Sequence, residues 1–365
     1  YDLYLEGKDR FGQTVLHVAA LKELSQTLNT ILSRAKKRGT DEDLARFIDT
    51  QNRDKQTALH LSAERGYCDC VKILLKYKAS VNVSDQEGKT ALHLCCRSAP
   101  EIFTEIQATI VVSNLVTAGA SVSARDEDGM TPLHHAAISG RLDTARVLLE
   151  EGAHISSKDS RGLTALHHSA RNHQSSFIKM IVSKGLHVDV KDTKQLTALH
   201  HAIASNSLEA VKALLEAGAD VNLEDTEGRR YTEYANMYDS QNILIWLAKK
   251  YPNLFINDET RETVIHYLAS QGRPDVIQIL LKTGHYKVDV RDYDEKTPLH
   301  YASINCREDV FEFLVDYGAD IDARDAVGAT PLHFAVRWGS EAIVRYILRR
   351  KGSEAISVLD SGDRL

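Results

Sequence analysis

The sequence has few features of secreted or membrane proteins. It contains only five cysteines, an odd number, and all lie in apolar helical segments, which favours free thiols in a reducing compartment over disulfides. They are Cys68, Cys70, Cys95, Cys96 and Cys306. No apolar run approaches the roughly 20 residues of a membrane helix, and the amino terminus shows no initiator Met and no signal-peptide pattern. We therefore expect a piece of a longer chain, in the cytoplasm or nucleus, that does not itself insert into a membrane.

The sequence also lacks the signatures of nucleic-acid binding and catalysis. Its 45 basic and 51 acidic residues leave a net charge of -6, whereas nucleic-acid binders usually carry a basic face. No G-x-S-x-G, H-E-x-x-H or phosphate-binding loop occurs. Cys68-x-Cys70 and Cys95-Cys96 have no second pair at zinc-finger spacing. We predict no enzyme, no cofactor, no metal site and no nucleic-acid partner.

One phrase, T-x-[LI]-H, repeats along the chain with a basic spacing of 33 residues. It begins at Thr14, Thr57, Thr90, Thr131, Thr164, Thr197, Thr263, Thr297 and Thr330. A worn tenth copy places Arg230 and Glu233 where the Thr and His belong. Each full copy reads as a turn, a first helix opened by Thr, a helix-breaking residue, a second helix and a G-A exit. Helices this short cannot bury their apolar faces alone, so neighbouring copies must pack together.

These motifs resemble the ankyrin repeat, over about 9–352. The resemblance implies an all-α solenoid of about ten helix-turn-helix repeats, with short turn fingers and a concave face formed by the first helices. It also implies a non-catalytic scaffold or adaptor that binds partner proteins through that face and those fingers. We expect Leu133, Ala136, Ala137, Val147 and Leu148 to pack between copies.

We predict a single domain over 1–365 with three irregular copies. The copies at 9–53 and 85–125 are overlong. The sequence of the first predicts a longer second helix, to about Lys37, followed by a short capped segment. The sequence of the second predicts about two extra helical turns. The degenerate copy, 225–257, is a candidate division between 9–224 and 258–352. The last residues resemble another turn, so we expect the array to continue beyond Leu365.

The most specific binding hypothesis concerns the fourth to sixth copies. The residue before the motif Thr is apolar there, at Met130, Leu163 and Leu196, and mostly polar elsewhere. Such a stripe indicates a contact surface if exposed, and an alternative is that each side chain packs on the neighbouring turn. The same copies carry a second histidine, at His135, His168 and His201, which predicts a polar contact face; zinc is a minor alternative because its ligands must approach to roughly 2.0–2.1 Å.

Three further residues are candidate anchors, because aromatic and Arg side chains dominate interface energetics. They are Tyr293, in a turn, and Arg337 and Trp338, at the end of the last first helix.

A narrower resemblance covers about the first three copies. The elongated first copy, running into Phe47 to Ala63, is similar to the inhibitor-of-kappa-B family, whose repeats hold Rel-type transcription factors. That family typically has six or seven repeats, and no phosphodegron is present in this sequence. A long array is also compatible with the cytosolic part of a membrane channel, such as the transient-receptor-potential channels. The sequence does not choose among these partners.

Overall fold

A computed structural model describes residues 7–98, 102–238, 240–251 and 260–351. Every helix or strand assigned within these residues is an α-helix, and 21 are present, which confirms the all-α prediction. The chain separates into two compact units, Tyr1–Ser240 and Gln241–Leu365. Residues 352–365, on which the expected continuation of the array depends, lie outside the described residues.

The first unit contains fourteen of the described helices. They are α1 (Val15–Leu21), α2 (Ser25–Arg38), α3 (Asp41–Ile48), α4 (Ala58–Glu64), α5 (Cys68–Lys76), α6 (Ala91–Arg97), α7 (Glu105–Thr117), α8 (Pro132–Ser139), α9 (Leu142–Glu150), α10 (Ala165–Arg171), α11 (Ser175–Ser183), α12 (Ala198–Ala204), α13 (Leu208–Glu216) and α14 (Tyr231–Met237).

The second unit contains the other seven. They are α15 (Gln241–Lys250), α16 (Val264–Gln271), α17 (Pro274–Leu281), α18 (Pro298–Ile304), α19 (Glu308–Asp316), α20 (Pro331–Arg337) and α21 (Glu341–Lys351).

Each copy begins with the helix that follows its motif Thr, called here the inner helix, and continues with an outer helix. The fourth copy shows why the inner helix starts where it does. Thr131 is the N-cap and Pro132 lies in the first turn. The side chain of His134 accepts a hydrogen bond from the backbone N–H of Thr131. Gly140 then ends the helix with φ 70°, a left-handed conformation that costs glycine little.

Within each unit, inner helices pack on inner helices of neighbouring copies and outer helices on outer helices. The predicted core residues fit this arrangement, since Leu133, Ala136, Ala137 and Leu148 are buried, whereas Val147 is only partly buried. The buried faces are small or aliphatic because neighbouring helices of this kind approach to about 8–10 Å.

The first overlong copy has the predicted form. The outer helix α2 ends at Arg38 before Gly39, and α3 follows with Thr40 as its N-cap in a capping box with Asp43. The other overlong copy differs from the prediction, because α7 has 13 residues where the outer helix α9 has 9, a gain of about one turn rather than two. Phe103, just before α7, lies against Gly66 of the preceding copy.

Candidate functional site

The motif histidines link consecutive copies by hydrogen bonds. In the fifth copy, His167 Nδ1 accepts from the backbone N–H of Thr164 at 3.1 Å, and its Nε2 donates to the carbonyl oxygen of Leu196 at 3.2 Å. Equivalent bonds to the following copy are made by His17, His60, His93, His134, His266 and His300. The acceptor in each case is the residue just before the next motif Thr. That residue is therefore held by its backbone as part of the repeat structure.

These bonds fix the chemistry of the imidazole ring. Because a backbone N–H can only donate, Nδ1 must be the unprotonated nitrogen and Nε2 must carry the proton. Burial, assisted by the neighbouring His201, lowers the pKa of His167 to about 4. Burial likewise lowers the pKa of His134 to about 4. His134 and His167 are thus neutral structural groups at physiological pH.

The second histidines of the fourth to sixth copies each bind the aspartate that opens the preceding turn. His135 Nε2 donates to Asp126 at 2.8 Å, His168 to Asp159 at 3.0 Å and His201 to Asp192 at 2.9 Å. Burial alone would raise the pKa of Asp159, but bonds from His168 and from two backbone N–H groups outweigh it and lower the pKa to about 2. Each carboxylate therefore joins a turn to its inner helix.

The same rings also pack edge to face on the motif histidine of the preceding copy. The ring centroids lie 5.6 Å apart for His93 and His135, and 5.5 Å apart for His134 and His168. Edge-to-face pairs of this kind are stabilising beyond their buried area. The doublet histidines thus belong to the inter-repeat structure as well as to the concave side.

The residues of the predicted patch differ in exposure. Leu163 is 3% exposed rather than lying on an open rim, and His135 and His168 are buried. For Leu163, this burial favours the alternative of packing against neighbouring residues over an exposed stripe. Met130, Leu196 and His201 are partly exposed, and their role in partner binding stays a prediction.

The other three candidates belong to the second unit. Tyr293 and Trp338 are 56% and 57% exposed, and Arg337 is exposed too. The guanidinium of Arg261 lies 4.9 Å from the centroid of the Tyr293 ring. These side chains are free to contact a partner, but nothing in the structure assigns one to them.

The degenerate copy interrupts the histidine links. Glu233 accepts from the backbone N–H of Arg230 at 2.9 Å, so a carboxylate supplies the helix cap that His supplies elsewhere. His200 Nε2, which would bond Arg229 of this copy, forms no hydrogen bond of ordinary geometry among the described residues, although the backbone of Leu223 is close enough to counteract part of the lowering of its pKa. Burial, with the neighbouring His201, lowers the pKa of His200 to about 4. The local cap survives here, but the bond between copies is lost.

A groove of about 560 Å³ lies on the concave side of the fifth to seventh copies. Leu163, Leu196 and His201 of the predicted patch line it, whereas Met130, His135 and His168 do not. The remaining lining residues are Arg161, Arg171, Asp192, Thr193, Lys194, His200, Ala204, Ser205, Tyr234 and Tyr238. We call this the concave groove. Its walls are turn residues and its floor is formed by inner helices.

An aromatic pair closes one end of the concave groove. Tyr234 occupies the position of the second histidine, and its hydroxyl donates to Asp225 at 2.8 Å. Tyr238, one helical turn later, stacks on it with ring centroids 6.0 Å apart and planes 13° apart. Tyr238 is 50% exposed, so one face of its ring is open to a partner while the other stacks on Tyr234.

The groove's basic and aromatic side chains lie at repeat positions other than the residue before each Thr and, for the basic ones, other than the second histidine. Arg161 and Lys194 were visible as basic residues at one repeat position, and Tyr234 follows the worn motif directly. A comparison of every repeat position across the ten copies would have found them.

No helix among the described residues is both long and apolar enough to cross a membrane. No group of three or more His, Cys, Asp or Glu side chains in that part of the chain is placed to hold a metal ion. All five cysteines are free thiols.

The helices come in pairs at a spacing of 33 residues. In each complete copy a Thr–His pair caps the first helix, and the same histidine in most of these copies bonds to the next copy. These features define a helical-repeat protein. The family model described as "Ankyrin repeats (3 copies)" matches residues 16–107, 155–225 and 232–325. Residues 115–169 match "Ankyrin repeats (many copies)" and residues 327–361 match "Ankyrin repeat". The chain belongs to the ankyrin-repeat family.

Several curated proteins are similar over part of the chain. Tyrosine-protein kinase Shark of Drosophila melanogaster is 41% identical over 105 residues, 28% of this chain and 10% of the kinase. The nuclear factor NF-kappa-B p105 subunit of Gallus gallus is 30% identical over 38% of this chain and 13% of p105. The B-cell lymphoma 3 protein homolog of Mus musculus is 29% identical over 39% of this chain and 30% of that protein. This chain thus spans a small fraction of these relatives.

Solved ankyrin domains share the fold. The human ASB11 ankyrin repeat domain superposes with a TM-score of 0.52 at 21% identity, over 62% of this chain and 96% of that domain. The ankyrin repeat domain of Bcl-3, described as a member of the IkappaB protein family, gives 0.51 at 27% identity, over 64% and 98%. Ankyrin repeats are protein–protein interaction domains and typically non-catalytic modules, so this chain carries a protein-binding array.

Proposed function

We propose that this chain is a non-catalytic scaffold that holds a partner protein in the concave groove. The observation that carries the proposal is the groove itself, where polar side chains and the exposed face of Tyr238 converge above buried inner helices. Concave sites with a few placed polar groups are the usual form of binding sites. The array would then act in the cytoplasm or nucleus, where its five free thiols remain reduced.

The groove is held in shape before any partner arrives. Asp159 Oδ1 accepts from the backbone N–H groups of Arg161 and Leu163 at 2.9 and 2.8 Å, and Asp192 does the same for Lys194 and Leu196. Neighbouring turns are joined by the bond from Thr193 N–H to the carbonyl of Arg161, 3.2 Å. A wall fixed by its own hydrogen bonds loses little entropy on binding, which favours affinity.

Within this proposal the predicted residues take different parts. Leu196 and His201 contact the partner at the floor of the groove, and Met130 does so beside it. Buried Leu163, His135 and His168 position the turns instead. Tyr293, Arg337 and Trp338 are further contact points for a partner on the second unit.

The test is a comparison of two tyrosine variants. Tyr238→Ala removes the exposed ring, and removal of an aromatic anchor typically costs about 2 kcal/mol or more of binding energy, roughly thirtyfold in affinity. Tyr317→Ala, at an exposed tyrosine of the second unit, is the control. Partners would be captured with the unmodified chain, identified by mass spectrometry, and each titrated against both variants. Equal binding by both variants for every partner would refute the groove as the binding site.

A second candidate is an inhibitor-of-kappa-B-like regulator that binds a transcription factor. It is favoured by the similarity to p105 and by the 27% identity with the Bcl-3 domain over 64% of this chain. Titration of a purified Rel-type transcription factor against the chain tests it directly. Absence of binding at protein concentrations of about 10 μM, far above the Kd of a specific complex, would rule out this candidate. The groove proposal would not be affected.

A further inference from the structure

The side chains at the tips of the turns are basic at the concave groove and mostly acidic in the other copies. Two residues after the Asp or Asn that opens each turn, five copies carry an acidic side chain: Asp54, Glu87, Asp128, Glu227 and Asp294. Only the fifth and sixth copies carry a basic one, Arg161 and Lys194. Both line the groove, and both are exposed. In a chain of net charge -6, this reversal is local.

The cations of the groove are mostly unneutralised. Arg171, at the end of α10, is exposed and adds a third positive charge to the lining. Among the described residues neither Arg171 nor Lys194 forms an ion pair, and Arg161 reaches only Asp159, at 4.0 Å. That carboxylate is already bound by His168 at 3.0 Å. The three side chains therefore keep their capacity for an external anion.

The one acidic residue that lines the groove is also occupied. Asp192 is buried, and its Oδ2 accepts from His201 at 2.9 Å while its Oδ1 accepts from two backbone N–H groups. Its oxygen atoms are already engaged in these hydrogen bonds, and it forms no ion pair with Arg171 or Lys194 among the described residues. The groove thus combines these basic side chains with the apolar surfaces of Leu196, Ala204 and Tyr238.

The basic stretch is also short. Asp128 stands at the same turn position in the copy before it and Glu227 in the copy after it. A long polyanion, such as a nucleic acid, would meet these carboxylates on either side. A short anionic segment would fit between them.

We propose that the concave groove binds an extended acidic segment of a partner protein, with Asp or Glu carboxylates at Arg161, Lys194 and Arg171 and an apolar side chain on Tyr238. This inference rests on the proposed function and adds the chemistry of the bound segment. Neighbouring repeats are about 8–10 Å apart and an extended chain advances about 3.3 Å per residue. The two carboxylates that reach Arg161 and Lys194 are therefore about three residues apart in the partner.

A random 12-residue peptide library displayed on phage provides the test. We expect peptides selected by the unmodified chain to be enriched in two Asp or Glu residues about three positions apart, next to an aliphatic or aromatic residue. One such peptide, its Gln counterpart and a single-stranded oligonucleotide are then labelled and titrated by fluorescence anisotropy. The Gln peptide should bind at least about tenfold more weakly, and the acidic peptide should weaken as salt rises.

Two matched double variants locate the site. Arg161→Glu with Lys194→Glu should weaken the acidic peptide at least about tenfold, since like charges then face each other. Lys72→Glu with Lys184→Glu makes the same change in net charge at exposed positions outside the groove and should change affinity less than about twofold. Circular dichroism and thermal melting confirm that both variants are folded.

The outcomes separate the two proposals. Selected peptides without acidic enrichment, but dependent on Tyr238, would overturn the acidic chemistry and leave the groove as a binding site. An oligonucleotide that binds more tightly than the peptides would also overturn it. If no selected peptide responds to Tyr238→Ala or to the Arg161 and Lys194 reversal, neither proposal survives.

Discussion

Arg141 is the largest side chain without solvent exposure, and its bonds explain how the overlong third copy is attached. Its guanidinium donates to the carbonyl of Ser98 at 2.8 Å, to that of Phe103 at 3.2 Å and to Glu105 at 3.2 Å. It also lies 4.3 Å from the centroid of the Phe103 ring. A planar fork of donors suits this arrangement, and an ammonium group could not satisfy it.

Replacement of this side chain tests its structural role. Arg141→Ala removes the guanidinium donors of Glu105 Oε2 and of two carbonyl groups, while Glu105 Oε1 keeps its bond from the backbone N–H of Thr144. We expect a loss of about 3 kcal/mol in the free energy of unfolding. Arg146→Ala, on the same helix, removes only an exposed pair with Asp143 and should cost less than about 0.5 kcal/mol. Urea denaturation followed by circular dichroism measures both. Equal effects would show that the buried bonds contribute nothing specific.

Four buried motif histidines make the array sensitive to acid. Burial holds the pKa of His93, His134, His167 and His200 at about 4 in the folded chain, whereas an unfolded histidine titrates near 6.5. Between these values the unfolded chain binds more protons than the folded one, so stability falls as pH is lowered from about 6.5 to 4. We expect the Tm to fall by at least about 5 °C between pH 7.5 and 5.0. A Tm unchanged over that range would contradict the assignment of these rings as neutral.

At the scale of helices and turns, one glycine determines how two copies meet. Gly66, at φ 69°, follows the inner helix α4, and a Cβ there would overlap the ring of Phe103 from the next copy's insertion. Gly119 has a similar backbone, φ 92°, but open space around it. The pair separates the cost of the backbone conformation from the cost of the clash.

Alanine at each position measures the two costs. Both substitutions should lose about 1 kcal/mol for the left-handed backbone, and Gly66→Ala should lose a further 1–3 kcal/mol, approximately, from overpacking against Phe103. Urea denaturation of the two variants under the same conditions is sufficient. If Gly119→Ala proves as destabilising as Gly66→Ala, the contact with Phe103 does not matter for stability.

The elements show which parts of the molecule could be predicted from its sequence. Helix starts were predictable because Thr at the N-cap and His three residues later leave little choice of register. The sequence left two possibilities for Leu163, exposure or packing on a neighbouring turn, and did not choose between them. The burial of His168 was not predictable, because it depends on how a turn meets its own inner helix. The bond between His168 and Asp159 spans nine residues, and no short motif reports it. The aromatic end of the groove was visible only as a departure from the repeat at Tyr234.

The whole molecule comprises two compact units that separate between Ser240 and Gln241, a point that falls in the degenerate copy 225–257. We propose that this copy couples its neighbours weakly, because Glu233 maintains the helix cap but cannot make the bond that histidine makes to a following copy. The stability of a repeat array is nearly a sum over neighbouring interfaces. A weak interface therefore lets the blocks on either side unfold separately.

The positions of the two tryptophans allow this to be tested. Trp246 and Trp338 both belong to the second unit, so their fluorescence reports that unit alone, whereas far-ultraviolet circular dichroism reports all helices. We expect the two signals to give different urea midpoints in the unmodified chain. Arg230→Thr with Glu233→His places the linking pair in the seventh copy and should bring the midpoints together. Arg230→Thr with Glu233→Gln, which can still cap the helix but cannot extend a ring to the next copy, is the control and should leave them apart. Coincident midpoints in the unmodified chain would mean that the degenerate copy transmits cooperativity as well as a complete one does.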